Sequence, residues 1–127
     1  MPFAETACPI VVCNRDRSYP IENGRQMPGC GPGVAAVENA LGRAADVVVG
    51  KPSVFMMELI AADWAVSNDE ILVIGDSLES DIGMAVSYGC RSFLISKDAQ
   101  LAAPGMTVVH DISQIRRKIE DIIRSSR

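Results

Sequence analysis

Two aspartates and one lysine carry the chemistry this sequence could do. Asp76 and Asp81 stand five positions apart behind the apolar run Ile71 to Ile74, within Ile-Leu-Val-Ile-Gly-Asp-Ser-Leu-Glu-Ser-Asp-Ile. A short continuous apolar run stopped by a glycine reads as a strand covered on both faces, and Ser80 to Tyr88 as a following helix closed by Gly89. Asp76 then lies just beyond the carboxyl end of a parallel strand, where open α/β sheets place their ligands, and Asp81 in the first turn of the helix. Such a pair can share a hydrated divalent cation, since magnesium takes carboxylate and water oxygens. An Asp in this place also serves as a plain helix cap, and the motif alone does not separate the two readings.

The lysine comes from Gly50-Lys51-Pro52-Ser53, which ends the apolar run Val47 to Val49 and opens another helix. Lys51 can reach a phosphoryl oxygen as a point charge, and Ser53 with the amides of the helix start can donate hydrogen bonds to an anion. A lone lysine of this kind is ordinarily a solvated surface residue. The order strand, Gly-Lys-Pro-Ser, helix, strand, Gly-Asp-Ser-Leu-Glu-Ser-Asp-Ile resembles the haloacid dehalogenase (HAD) superfamily of phosphatases. Its branch is similar to the 4-nitrophenylphosphatase, phosphoglycolate phosphatase, pyridoxal phosphatase and nucleotidase group (subfamily IIA). Asn14-Arg15-Asp16 and the turn Pro28-Gly29-Cys30-Gly31 match that group's order, so the resemblance spans roughly Ile10 to Ser96.

The resemblance implies magnesium-dependent phosphomonoester hydrolysis through an aspartyl-phosphate. It makes Asp76 a direct metal ligand, Asp81 a second metal residue acting directly or through water, Lys51 the group that neutralises phosphate and nucleophile, and Ser53 a phosphate-loop residue. Asn14 and Asp16 become residues of the substrate-selecting cap, under which residues 1–45 are the C-terminal part of a cap-like region and 46–127 the C-terminal half of the catalytic core. Two other readings of Asn14-Arg15-Asp16 stay open. One is a degenerate nucleophile motif, in which the neutral amide of Asn14 could not form an acyl phosphate; the other is an Asx turn after a strand.

The family's defining strand ending in Asp-x-Asp occurs nowhere in the 127 residues. The expectation is therefore a truncated or inactive form with a retained anion and magnesium half-site and little turnover. The alternative is a non-catalytic module that binds a phosphorylated metabolite or a protein partner. A receiver domain fits less well, because there the lysine follows the acidic pocket, whereas Lys51 precedes Asp76. Without the nucleophile strand, the strand at Ile71 to Ile74 should carry an apolar edge. The strand at Ala7 to Cys13, a second copy of the chain in a homodimer or a separately supplied N-terminal half would cover it.

These side chains need a frame, and the composition supplies one. At 48% hydrophobic and 22% charged with a formal charge of -4, the chain describes a globular domain or a large part of one. It offers no basic field for nucleic acid. No apolar run is long enough to cross a bilayer, and the start Met1-Pro2-Phe3-Ala4-Glu5 lacks a signal's regions, so the expected location is cytoplasmic. Cys8, Cys13, Cys30 and Cys90 form no CxxC pair, which disfavours zinc and leaves reduced, buried thiols as the expectation.

The expected elements are a strand over Ala7 to Cys13, a long loop over Ser18 to Gly33, a helix over Val34 to Leu41 and a strand over Asp46 to Gly50. A helix from Ser53 through Ala65 follows, with Met56, Met57 and Trp64 as packing residues. Beyond the acidic motif come strands at Arg91 to Ser96 and Thr107 to Val109, and a last helix capped by Asp111 with an isoleucine stripe at 112, 115, 119, 122 and 123. Gly29-Cys30-Gly31-Pro32-Gly33 follows a loop rather than a strand, which argues against a dinucleotide fingerprint. Alternating strands and helices predict an α/β fold, a parallel sheet with flanking helices, and the resemblance implies that this sheet is part of the HAD-like Rossmann-type core.

Overall fold

The computed structural model describes residues 8–125. The expectations about Met1 to Glu5 and about a strand beginning at Ala7 lie outside the described residues. The chain divides into two compact units, Met1–Met56 and Met57–Arg127.

In the first unit, β1 (Val11–Val12) pairs in parallel with β4 (Val47–Val48), Val11 opposite Val47 and Val12 opposite Val48. Both strands are shorter than the sequence suggests. Between them the expected loop is an antiparallel hairpin, β2 (Ser18–Pro20) and β3 (Gln26–Pro28), joined through a 3₁₀ turn at Glu22–Gly24. Asn23 and Gly24 sit at φ 61° and 68°, the left-handed conformation for which Asn-Gly is suited.

Helix α1 (Cys30–Leu41) starts four residues before the expected Val34. Pro32 is tolerated in its first turn because a proline there removes only an amide that has no partner inside the helix. The amide of Gly31 finds one outside it, the carbonyl of Asp16 at 2.9 Å. Gly42 ends α1 in the left-handed conformation, at φ 64°. Asp46 then fastens the return strand: its carboxylate accepts from the Ile10 amide and from Arg43, both at 2.7 Å.

Helix α2 (Phe55–Trp64) spans the division between the units. Only Met57 of its side chains is buried, while Met56 and Trp64, expected to pack, are exposed. The second unit continues with a 3₁₀ turn at Asn68–Glu70, closed by a reciprocal capping box between Ser67 and Glu70. Three parallel strands follow in sequential order, β5 (Leu72–Gly75), β6 (Arg91–Ile95) and β7 (Met106–Val109). The strand covered on both faces is β6, where Ser92, Phe93 and Leu94 are all buried. β5 is the terminal strand of this sheet, and Ile74 on it is 41% exposed, contrary to the sequence expectation.

Helix α3 (Gly83–Tyr88), closed by Gly89 at φ 80°, packs Met84 and Ala85 with Met57 and Cys90 into the core of this unit. Burial pushes the Cys90 thiol up from its ordinary value. Cys8, Cys13 and Cys30 are exposed, so the expectation of buried thiols holds for Cys90 alone. Helix α4 (Ser113–Ser125) begins where the Asp111 carboxylate accepts from the Ser113 amide at 2.7 Å. Its half-buried face is Ile115, Ile119 and Ile122; Ile112 and Ile123 face outward. No helix among the described residues is long and apolar enough to cross a membrane.

Candidate functional site

The acidic turn belongs to the second unit. β5 ends at Gly75, Asp76 is exposed directly after it, and residues Leu78–Ile82 form one wide π-type turn before α3. Asp81 therefore sits in the turn that precedes the regular helix, not in the helix's first turn. Ser77 closes this turn on itself. Its hydroxyl accepts from the Ser80 amide at 3.1 Å, and its carbonyl accepts from the amides of Asp81 at 3.0 Å and Ile82 at 3.1 Å. In return the Ser77 amide donates to Oδ2 of Asp81 at 3.1 Å.

That last bond ties Asp81 to the residue that follows Asp76. Asp81, only 5% exposed, holds the backbone immediately after Asp76, so the buried carboxylate fixes the direction in which the exposed one leaves the strand. Gly75 makes room for it: a Cβ built there would overlap the Asp81 carboxyl group. A glycine at this position is required by close approach rather than by backbone conformation. Among the described residues no group of three His, Cys, Asp or Glu is arranged to hold a metal. A magnesium ion needs no such group, since one or two carboxylates completed by water and a ligand's phosphate suffice. Exposed Asp76 and anchored Asp81 supply hard oxygen donors of that kind.

The lysine turn belongs to the first unit. Gly50 follows β4 so closely against β1 that a Cβ on it would overlap the Cys13 carbonyl and crowd Asn14. This brings the Gly50-Lys51-Pro52-Ser53 turn beside Asn14, with Lys51 exposed and the Lys51–Pro52 peptide cis. Ser53 is committed to the turn: its amide donates to the Gly50 carbonyl at 3.0 Å, and its hydroxyl accepts from the Phe55 amide at 3.3 Å. With its amide so engaged, the hydroxyl proton is the group Ser53 can donate.

Asn14 and Asp16 form the Asx turn that the sequence left open, with the Asp16 amide donating to Oδ1 of Asn14 at 3.2 Å. The Asp16 side chain is exposed.

Two contributors escaped sequence reasoning. Ser77 was visible only as a residue between acids. Glu38, on α1, takes a two-pronged bond from Arg15, 2.6 and 3.1 Å, and a third from the Ala45 amide at 2.7 Å. The Arg15 bond, aided by the Ala45 amide, holds the Glu38 carboxyl below its ordinary value. No local spacing announces a pair separated by a hairpin.

The model of the HAD-hydrolase-like family matches residues 48–117. A sugar phosphatase, AraL, of Bacillus subtilis is 40% identical over 86 residues, 68% of this chain and 31% of the relative. Chronophin of Rattus norvegicus is 45% identical over 75 residues, 59% of this chain and 24% of the relative. Among solved structures, a p-nitrophenyl phosphatase from Archaeoglobus fulgidus superposes with a TM-score of 0.64 at 26% identity, covering 89% of this chain and 39% of that one. The chain thus spans between about a quarter and two fifths of the length of these relatives.

Proposed function

Because this chain belongs to the HAD-hydrolase-like family, and within it to the 4-nitrophenylphosphatase-like branch, we propose that it serves a magnesium-dependent phosphomonoester hydrolase. In that reading residues 46–127 are the C-terminal half of the catalytic core and residues 1–45 part of the cap. Asp76 and Asp81 hold the cation, Lys51 sets its ammonium against a phosphoryl oxygen, and Ser53 donates its hydroxyl proton there. Asn14 and Asp16 select the alcohol side of a small phosphorylated metabolite. Magnesium, when bound, supplies a Lewis acid for the phosphoryl oxygens. The observation that carries the reading is the buried Asp81 carboxylate on the Ser77 amide, which fixes the backbone that presents Asp76.

The test is magnesium titration of the purified chain by calorimetry, with Asp76→Asn and Asp81→Asn beside it. Affinity should fall on the order of 10- to 100-fold in each variant. A variant that binds magnesium as tightly as the parent overturns the metal assignment.

No Asp-x-Asp is present, so the chain alone should turn over an activated aryl phosphate slowly or not at all. Turnover abolished by Asp76→Asn would mean that another nucleophile exists. The second reading is a non-catalytic module that binds a phosphorylated metabolite or a protein partner. β5 is the terminal strand of its sheet, and a second copy or a separately supplied N-terminal half would pair beside it. We assign the protein to the cytoplasm.

A further inference from the structure

The three parallel strands of the second unit end together. Gly75 stands opposite Leu94, and Ile95 opposite Val109, so Asp76, Ser96 and His110 follow their strands onto one rim of the sheet. β6 lies between the other two strands. Two strand spacings therefore separate Asp76 from His110, roughly 10 Å between their Cα atoms. His110 is the one histidine of the sequence, and it is exposed.

Its Nδ1 lies 3.0 Å from the Ser96 carbonyl oxygen. A carbonyl oxygen only accepts, so Nδ1 carries the proton of that bond, and in the neutral ring Nε2 is left as a bare acceptor. Ser96 is itself held on two further sides. Its amide donates to the Val109 carbonyl at 3.0 Å, and its hydroxyl accepts from the Asp98 amide at 3.1 Å. The ring is thus drawn from β7 over the end of β6, toward the strand that presents Asp76.

On the reading that Asp76 and Asp81 hold the cation beneath a phosphate, we propose that Nε2 of His110 accepts a hydrogen bond from a hydroxyl of the same ligand. The residue then selects sugar or polyol monophosphates over inorganic phosphate and over esters without a free hydroxyl. With the phosphate at the end of β5, a hydroxyl a few carbon atoms away falls toward β7. The ring is already committed through its other nitrogen, so it has little rotational freedom to lose on meeting that hydroxyl. A ligand that sets an alkyl group there brings Nε2 no proton and leaves it without a partner.

The test uses the full chain with nitrogen-labelled histidine, whose ring signals belong to His110 alone. Two-bond nitrogen–proton NMR in mildly alkaline buffer, where an imidazole is neutral, should show the proton on Nδ1 and none on Nε2. Magnesium with glucose 6-phosphate should shift both the Ser77 amide and Nε2, the latter toward the protonated side, whereas magnesium with inorganic phosphate or methyl phosphate should shift the Ser77 amide alone. His110→Ala should weaken glucose 6-phosphate binding about 2- to 10-fold and leave inorganic phosphate binding unchanged. A proton on Nε2 with Nδ1 bare overturns the proposal, and so does a Ser77 response to glucose 6-phosphate with Nε2 unmoved, which leaves the cation reading standing. If neither signal responds to any of the three, the cation reading falls and this proposal with it.

Discussion

The units Met1–Met56 and Met57–Arg127 hold their loops by different means. Among the described residues of the first, Val12 alone is a fully buried apolar side chain. Its turns are placed by glycines pressed against carbonyls and by the clamps Arg15 to Glu38 and Arg43 to Asp46. The second unit buries Met57, Ile82, Met84, Ala85, Phe93, Leu94 and Val109, and hangs its acidic turn from that core. The turns of the first unit rest on exposed ion pairs and close backbone approaches, whereas the acidic turn rests on one buried carboxylate backed by an apolar core, so the two units should respond differently to the same perturbation.

The largest effect should come from Leu94→Ala, since Leu94 is 1% exposed on the central strand of its sheet. It should destabilise by about 2–5 kcal/mol in denaturant titration. A loss below 1 kcal/mol would blur the contrast between the units. Gly75→Ala comes next, because its methyl group would overlap the Asp81 carboxyl. Forced repacking should cost about 1–3 kcal/mol, and displacement of Asp81 should weaken magnesium binding in calorimetry.

Ser92→Ala should act in the opposite direction. Its hydroxyl is the buried polar atom without a partner among the described residues, so removal should stabilise by about 1 kcal/mol. A loss of stability would show that the hydroxyl is satisfied in solution.

The smallest effect concerns acid; it is followed at two amides of the first unit, and Glu70 on the Ser67 amide and Asp111 on the Ser113 amide are lowered in the second unit as well. Glu38 and Asp46 lie below their ordinary values, through Arg15 for the one and the Ile10 amide for the other. A depressed carboxyl stabilises above its unfolded value and loses that contribution as pH falls through its folded one. Hydrogen exchange at Ala45 and Ile10 should therefore quicken, beyond the intrinsic dependence, below the ordinary carboxylate range. In Glu38→Gln the Ala45 amide should lose that extra dependence. An unchanged profile at Ala45 would show that the clamp does not hold this turn.

Sequence was informative where a single segment contains its own cause. The run from Ile71 to Gly89 announces strand, acidic turn and helix, because apolar residues, carboxylates and a terminating glycine follow one another directly. It misled where partners lie far apart. Ser-Tyr-Pro and Gln-Met-Pro alternate no apolar face and are exposed in both strands, so the hairpin at Ser18 to Pro28 showed only through Asn23-Gly24. The early start of α1 depends on the Asp16 carbonyl, which spacing alone does not reveal. Ile74 reads as interior by its neighbours, yet its strand lies at the end of the sheet. For the candidate site, Asp76 and Asp81 were legible as a pair, but the serine whose amide holds Asp81 was not.

The bonding of Ser77 has a thermal consequence. A segment already knotted through its own amide, carbonyl and hydroxyl has little rotational freedom left to surrender when an ion arrives. Cation uptake at Asp76 should then proceed without the large unfavourable entropy that accompanies the ordering of a floppy segment. The signature would be a heat of binding close to that of simple carboxylate coordination and nearly constant with temperature.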